Sequence, residues 1–107
     1  MRIYIAGKVS GLPYEIVRKD FYRAEMFMSR FGKVINPIKH CAEKWSWLRC
    51  MLTCSALVST CHIVALMDNW QDSRGARWEY KLAKFLGKDI LYLEREVVKE
   101  WQKGREV

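Results

Sequence analysis

The sequence predicts a small doubly wound α/β domain, with about four parallel strands in a flavodoxin-like or Rossmann-like order and helices on both faces. Three observations carry this expectation. Short β-rich runs, RIYIAG, KVIN, HIVALM and DILYL, alternate with longer segments of helical periodicity. Strands separated by helices imply right-handed βαβ crossovers, hence a parallel sheet covered on both sides. The chain has 107 residues, half of them hydrophobic and only two proline, which suits one ordered domain over residues 1–107 and is too short for two.

The elements follow in order. Residues 2–7 are a buried strand that ends in glycine, and KVSGLP is a turn-rich loop. From about 14 to 31, Val17, Phe21, Ala24, Met28 and Phe31 recur at helical spacing, and Gly32 closes the helix. KVIN (33–36) is a second strand, stopped by Pro37. Residues 42–60 form a second amphipathic helix and HIVALM (62–67) a third strand. DNWQDSRG is a loop, and a third helix runs from about 74 to 86 with Gly87 as its C-cap. DILYL (89–93) is the fourth strand, and a charged helix covers roughly 95–103.

Composition narrows the function classes. With 19 Lys and Arg against 12 Asp and Glu the formal charge is +7, which favours anionic partners, nucleic acid or a phosphorylated small molecule. The basic residues are dispersed and match no standard DNA- or RNA-binding signature, so nucleic acid is the disfavoured partner. Trp45 and Trp47, two apart in the second helix, read as core and interface residues. No apolar run reaches the ~18 residues a membrane span needs. The start, MRIYIAG, reads as a strand and not as a signal peptide. The expected location is the cytoplasm, where Cys41, Cys50, Cys54 and Cys61 are reduced thiols. Cys50, Cys54, Leu57 and Cys61 read as a core stripe. With His40 and His62 nearby a zinc site is the competing reading, but the C-x3-C-x6-C-H spacing fits no standard zinc module. No metal and no cofactor is expected.

In open parallel sheets, ligands sit outside the carboxyl ends of the strands where strand order switches. The loops after the first strand (Lys8 to Pro13) and the third (Asp68 to Arg74) should therefore flank the site. On the third helix, Ala76, Glu79, Tyr80, Ala83 and Gly87 share one face at 100° per residue, and its small and apolar residues make it the inward one. A buried carboxylate is costly unless partnered, so Glu79 is either a functional acid or a salt-bridged or rim glutamate. Trp78, Leu82 and Phe85 fall on the outer face among Arg77, Lys81 and Lys84. Such a strip is covered by a second copy of the chain or by the C-terminal helix with Trp101; a homodimer or higher homo-oligomer is the expectation.

Three motifs, YIAGKVSG (4–11), Asn36-Pro37, and NWQDSRGARWEYKLAKFLGK (69–88), resemble the small domains related to nucleoside 2-deoxyribosyltransferases. That branch is an uncharacterised bacterial and phage one, near the deoxynucleoside 5′-monophosphate N-hydrolases. The likeness extends from Tyr4 to about Leu93, and the third motif is its most specific part. The resemblance implies an enzyme that cleaves the N-glycosidic bond of a deoxynucleoside or deoxynucleotide. Glu79 would be the nucleophile at C1′ and Tyr4 the residue that orients it. Ser73 stands where the transferases carry an aspartate and the monophosphate hydrolases a phosphate-binding serine, so a 5′-nucleotide is the expected small-molecule partner. Gly7, Lys8, Ser10 and Gly75, with the N–H groups that open the third helix, would complete an anion cradle. Lys8 also reads as a solvated surface lysine, and Arg74 and Arg77 read as solvated or interface charges. Asp68 is a further substrate-binding candidate from the loop.

Two positions depart from the pattern. The family's Cys-Asp at the start of strand three is Cys61-His62 here, and the aspartate that handles the leaving base is Cys54. A thiol, with an ordinary pKa of about 8.5, is a poor proton donor to a base. His62, Asp68 or Asp72 could supply the proton instead. The alternative function is a nucleotide-binding module that has lost its acid.

Overall fold

A computed structural model of the protein describes residues 1–9, 11–41 and 46–93. Four strands, β1 (Arg2–Ala6), β2 (Lys33–Ile35), β3 (Ile63–Leu66) and β4 (Asp89–Tyr92), form one sheet in the order β2-β1-β3-β4. Every neighbouring pair is parallel, with Ile3 opposite Val34, Tyr4 opposite Val64, and Val64 opposite Ile90. Among the described residues three α-helices cover it: α1 (Tyr14–Met28), α2 (Trp47–Ser59) and α3 (Arg74–Phe85). This is the small doubly wound α/β fold expected from the alternation of strands and helices.

The two-residue period of the central strands sorts the core into two layers. Tyr4, Ala6, Val64 and Leu66 point to the side covered by α2 and α3, where Cys54, Val58, Ala76 and Ala83 meet them. Ile3, Ile5, Ala65 and Met67 point to the other side, against Val17, Phe21, Ala24 and Met28 of α1. Both faces of β1 and β3 are buried, hence their near-continuous apolar sequences. The connection after β1 leads outward to β2, and the connection after β3 leads the opposite way to β4. The switch in strand order therefore falls between β1 and β3, and a crevice opens there.

Some boundaries differ from the periodicity. Helix α1 ends at Met28, capped by Ser29, whose N–H donates to Glu25 O at 2.8 Å. Phe31, expected on the buried stripe, stands 57% exposed with its ring edge-on to Phe27, and the Arg30 guanidinium covers both rings. Strand β1 ends one residue early, at Ala6, and β2 ends at Ile35. Helix α2 begins at Trp47, with the Ser46 hydroxyl accepting from Arg49 N–H at 3.2 Å. Residues 42–45, which include Trp45, and the charged segment 95–103 with Trp101 lie outside the described residues. Gly87 closes α3 at φ +74°, as a C-cap glycine should. That role takes it off the inward face, and it is exposed.

Candidate functional site

The crevice at the carboxyl edge is a cavity of about 800 Å³, within the range of small-molecule sites. Three segments build it. The loop after β1 contributes Gly7, Lys8, Val9, Gly11 and Leu12; the end of the loop after β3 contributes Asp72 and Ser73; and α3 contributes its first two turns to Glu79. Helix α2 closes one side with Trp47, Cys50, Met51 and Cys54, and Cys41 completes that wall.

The loops are held together by a contact the periodicity could not reveal: Lys8 N–H donates to Asn69 Oδ1 at 3.0 Å. Gly7 lets the first loop leave the sheet closely packed, since a Cβ there would sit 2.5 Å from Met67 Sδ and 3.1 Å from its Cβ. Ser73 is the N-cap of α3, its hydroxyl oxygen accepting from Ala76 N–H at 3.1 Å. Its O–H remains available to donate to a ligand. The N–H groups of Arg74 and Gly75, in the first turn, have no helical acceptor of their own, so Ser73 and Gly75 together present donors at the positive end of a 12-residue helix.

At the inner end of the cavity stands Glu79, 6% exposed. Its neighbours on the inward face, Ala76 and Ala83, are buried. Tyr80, expected beside them, is only half-buried and packs against Trp70 at 4.8 Å between centroids. Glu79 Oε2 and the Tyr4 hydroxyl are both buried without a hydrogen-bond partner. The salt-bridged reading of Glu79 is therefore overturned: no cation among the described residues neutralises it. Burial pushes its carboxyl from the ordinary 4.5 up to about 8, and the nearby Tyr4 hydroxyl pulls the other way. Tyr4 is in turn pushed well above the usual phenol range, by burial first, then by Glu79 and Cys54.

Cys54 also belongs to this group. Burial raises its thiol pKa, and Glu79 raises it further. Its Sγ lies 3.7 Å from Cys41 Sγ, and burial raises Cys41 strongly too. Of the expected thiol stripe, Cys54 and Cys61 are buried while Cys50 and Leu57 are half-buried. Among the described residues no three His, Cys, Asp or Glu side chains converge as metal ligands.

Tyr4, Gly7, Lys8, Ser73, Gly75 and Glu79 all line one cavity. Ser10 lies outside the described residues. Asp68 does not join them: it is exposed and absent from the cavity wall, because the chain turns through a 3₁₀ turn at Trp70–Asp72 before re-entering the site at Asp72. His62 is excluded as a proton donor to the site. It precedes β3 at the amino end of the sheet, where its Nδ1 accepts from Arg2 N–H at 3.1 Å. Three contributions escaped the sequence reading. Trp47, 42% exposed, is a wall of the cavity and not a core residue, and the Arg74 guanidinium sits 4.0 Å above its ring. Arg77 lines the same cavity. Met51 approaches Gly75, where a Cβ would lie 3.1 Å from its Sδ.

Fold and site together define a parallel α/β domain with a cavity at the strand switch, where the described residues place one buried carboxyl, Glu79, on the helix whose N-terminus lines the same cavity. The chain belongs to the DUF4406 family, a domain of unknown function, whose family model matches residues 1–92. No curated protein matches the sequence.

Proposed function

We propose that the protein cleaves the N-glycosidic bond of a deoxynucleotide, with Glu79 as nucleophile, in the manner of the nucleoside 2-deoxyribosyltransferase-like enzymes its motifs resemble. The observation that carries the reading is the Glu79 carboxyl, buried in the cavity with no cation beside it among the described residues and Oε2 without a hydrogen-bond partner. An evolved core rarely keeps such a group without use, because the cost of an unpartnered buried acid is several kcal/mol on the order of. With a 5′-phosphate at Ser73 and the α3 N-terminus, and Lys8, Arg74 and Arg77 around it, the sugar would bridge towards Glu79. The carboxylate then adds to C1′ as the base departs, and water or a second base takes the sugar from the glycosyl-enzyme.

Incubation with deoxynucleoside monophosphates tests this: free base is the expected product. Absence of base from all of them, with ligand binding indifferent to Glu79→Ala, would overturn the reading. A nucleophile must be ionised, so kcat/KM should climb with pH through about 8, following the raised carboxyl of the free protein. Tyr4→Phe should cut turnover by ~10 to 10²-fold and move that limb to higher pH, since the hydroxyl restrains the Glu79 pKa.

Cys54 supports a second reading, a nucleotide-binding module without catalysis, because a buried thiol whose pKa is raised holds its proton in the place of an acid. Nucleotide-induced thermal stabilisation with no base released would select it.

The same reading includes a homodimer. Leu48 and Leu52 on α2 and Trp78 and Phe85 on α3 are 62%, 66%, 50% and 85% exposed. Trp78 Nε1 donates to Ser55 Oγ at 3.0 Å, joining the outer faces of the two helices. Leu82 is not part of this strip, as it packs on the core. Sedimentation equilibrium should return twice the 12.7 kDa chain mass, and Phe85→Glu should return the monomer.

A further inference from the structure

We propose that the cavity is built for N-glycosides whose base carries a fixed positive charge, a pyridinium nucleotide or an N-alkylated purine nucleotide. The proposal rests on Glu79 meeting the anomeric carbon and adds what must leave it.

A neutral base departs readily only if a proton reaches its leaving nitrogen. Few groups can deliver one here. Cys54, which interacts with both Glu79 and Tyr4, is a buried thiol facing another thiol at 3.7 Å. His62 is at the opposite end of the sheet, bonded to Arg2. Asp68 is outside the cavity, and Asp72 is exposed at its mouth. Among the described residues, the buried interior of the cavity holds one carboxyl, Glu79, and no second acid beside it. A base that is already cationic needs none.

The interior favours such a ring for a second reason. Neither Lys nor Arg among the described residues pairs with Glu79, and its Oε2 has no partner. A cationic ring in the cavity supplies the missing counter-charge, so the buried carboxyl ionises when the substrate arrives. Indole and sulfur groups of Trp47, Met51 and Cys41 line the same wall, and these polarizable groups accept a flat cationic ring well.

The chemistry balances without another reagent. The bond from C1′ to the charged nitrogen breaks, its electron pair discharges the ring, and the base leaves neutral. The Glu79 carboxylate forms an ester bond to C1′. Water then adds to C1′, expels the carboxylate and gives one proton to solvent. The sum is cationic nucleotide plus water giving sugar phosphate, neutral base and a proton.

The test compares base release from N7-methyl-dGMP and nicotinamide 2′-deoxyriboside 5′-phosphate with that from dGMP and dCMP, each corrected for its rate without enzyme. We expect kcat/KM for at least one cationic substrate to exceed that of both neutral ones by ~10² to 10⁴-fold, the usual contribution of a general acid. Glu79→Gln should remove the cationic turnover. Neutral substrates turned over within tenfold of the cationic ones would overturn this proposal and leave the glycosidase reading intact. No base from any of the four would overturn both.

Discussion

Glu79→Gln is expected to abolish base release, by ~10³-fold or more, while making the protein more stable at neutral pH. The first effect follows from losing the one buried carboxyl that the described residues place in the cavity. The second follows from linkage. In the unfolded chain the carboxyl ionises at its ordinary 4.5; in the folded protein it does so at about 8, because burial disfavours the charge. A raised folded pKa contributes stability that is fully present below pH 4.5 and is lost as pH rises through about 8. At pH 7 the wild-type chain has therefore given up roughly 3 kcal/mol relative to acid conditions. Glutamine keeps the shape and cannot ionise, so that loss disappears. Urea unfolding of both proteins at pH 5, 7 and 9 checks this: the variant's advantage should grow from pH 5 and level off above about 8. Equal slopes for the two proteins would mean that Glu79 is ionised and partnered in the folded state.

Ser73→Asp should reverse the preference between nucleotide and nucleoside with little effect on the fold. Ser73 caps α3 by accepting from Ala76 N–H. Aspartate caps as well as serine does, and its charge suits the helix dipole. The same charge would repel a 5′-phosphate brought to the first turn, where on the proposed reading the serine hydroxyl donates to it. Affinity for deoxynucleoside monophosphates should fall ~10²-fold, the scale of a lost charge-assisted hydrogen bond plus a like-charge contact. Affinity for the free nucleosides should hold or improve. Calorimetric titration with each pair, alongside a melting curve, separates the two effects. A variant that binds nucleotides as the wild type does would place the phosphate elsewhere in the cavity.

How much of this was legible in the sequence depended on range. The strands around Tyr4 and Val64 are buried on both faces, so their apolar runs declared themselves. Glu79 on the inward face followed from 100° per residue. The signals that failed were those set by distant contacts. Asp68 and Asp72 are four residues apart in one polar loop, and only the 3₁₀ turn between them decides which reaches the cavity. Phe31 continues the period of α1, yet the helix stops at Met28, and the ring finds Phe27 and Arg30 instead of the core. Asn69 holding Lys8 across 61 positions of sequence has no local signature. His62 adjoins a buried strand, but on the end away from the ligand, a distinction that strand direction makes and composition does not.

Arg74 resting on Trp47 at the mouth of the cavity has a practical consequence. A guanidinium over an indole perturbs its excited state, and an anion that draws the arginine away restores the bare ring. With the other indoles replaced, the light emitted by Trp47 would rise and fall with ligand occupancy, giving the protein an optical gauge that needs no added dye.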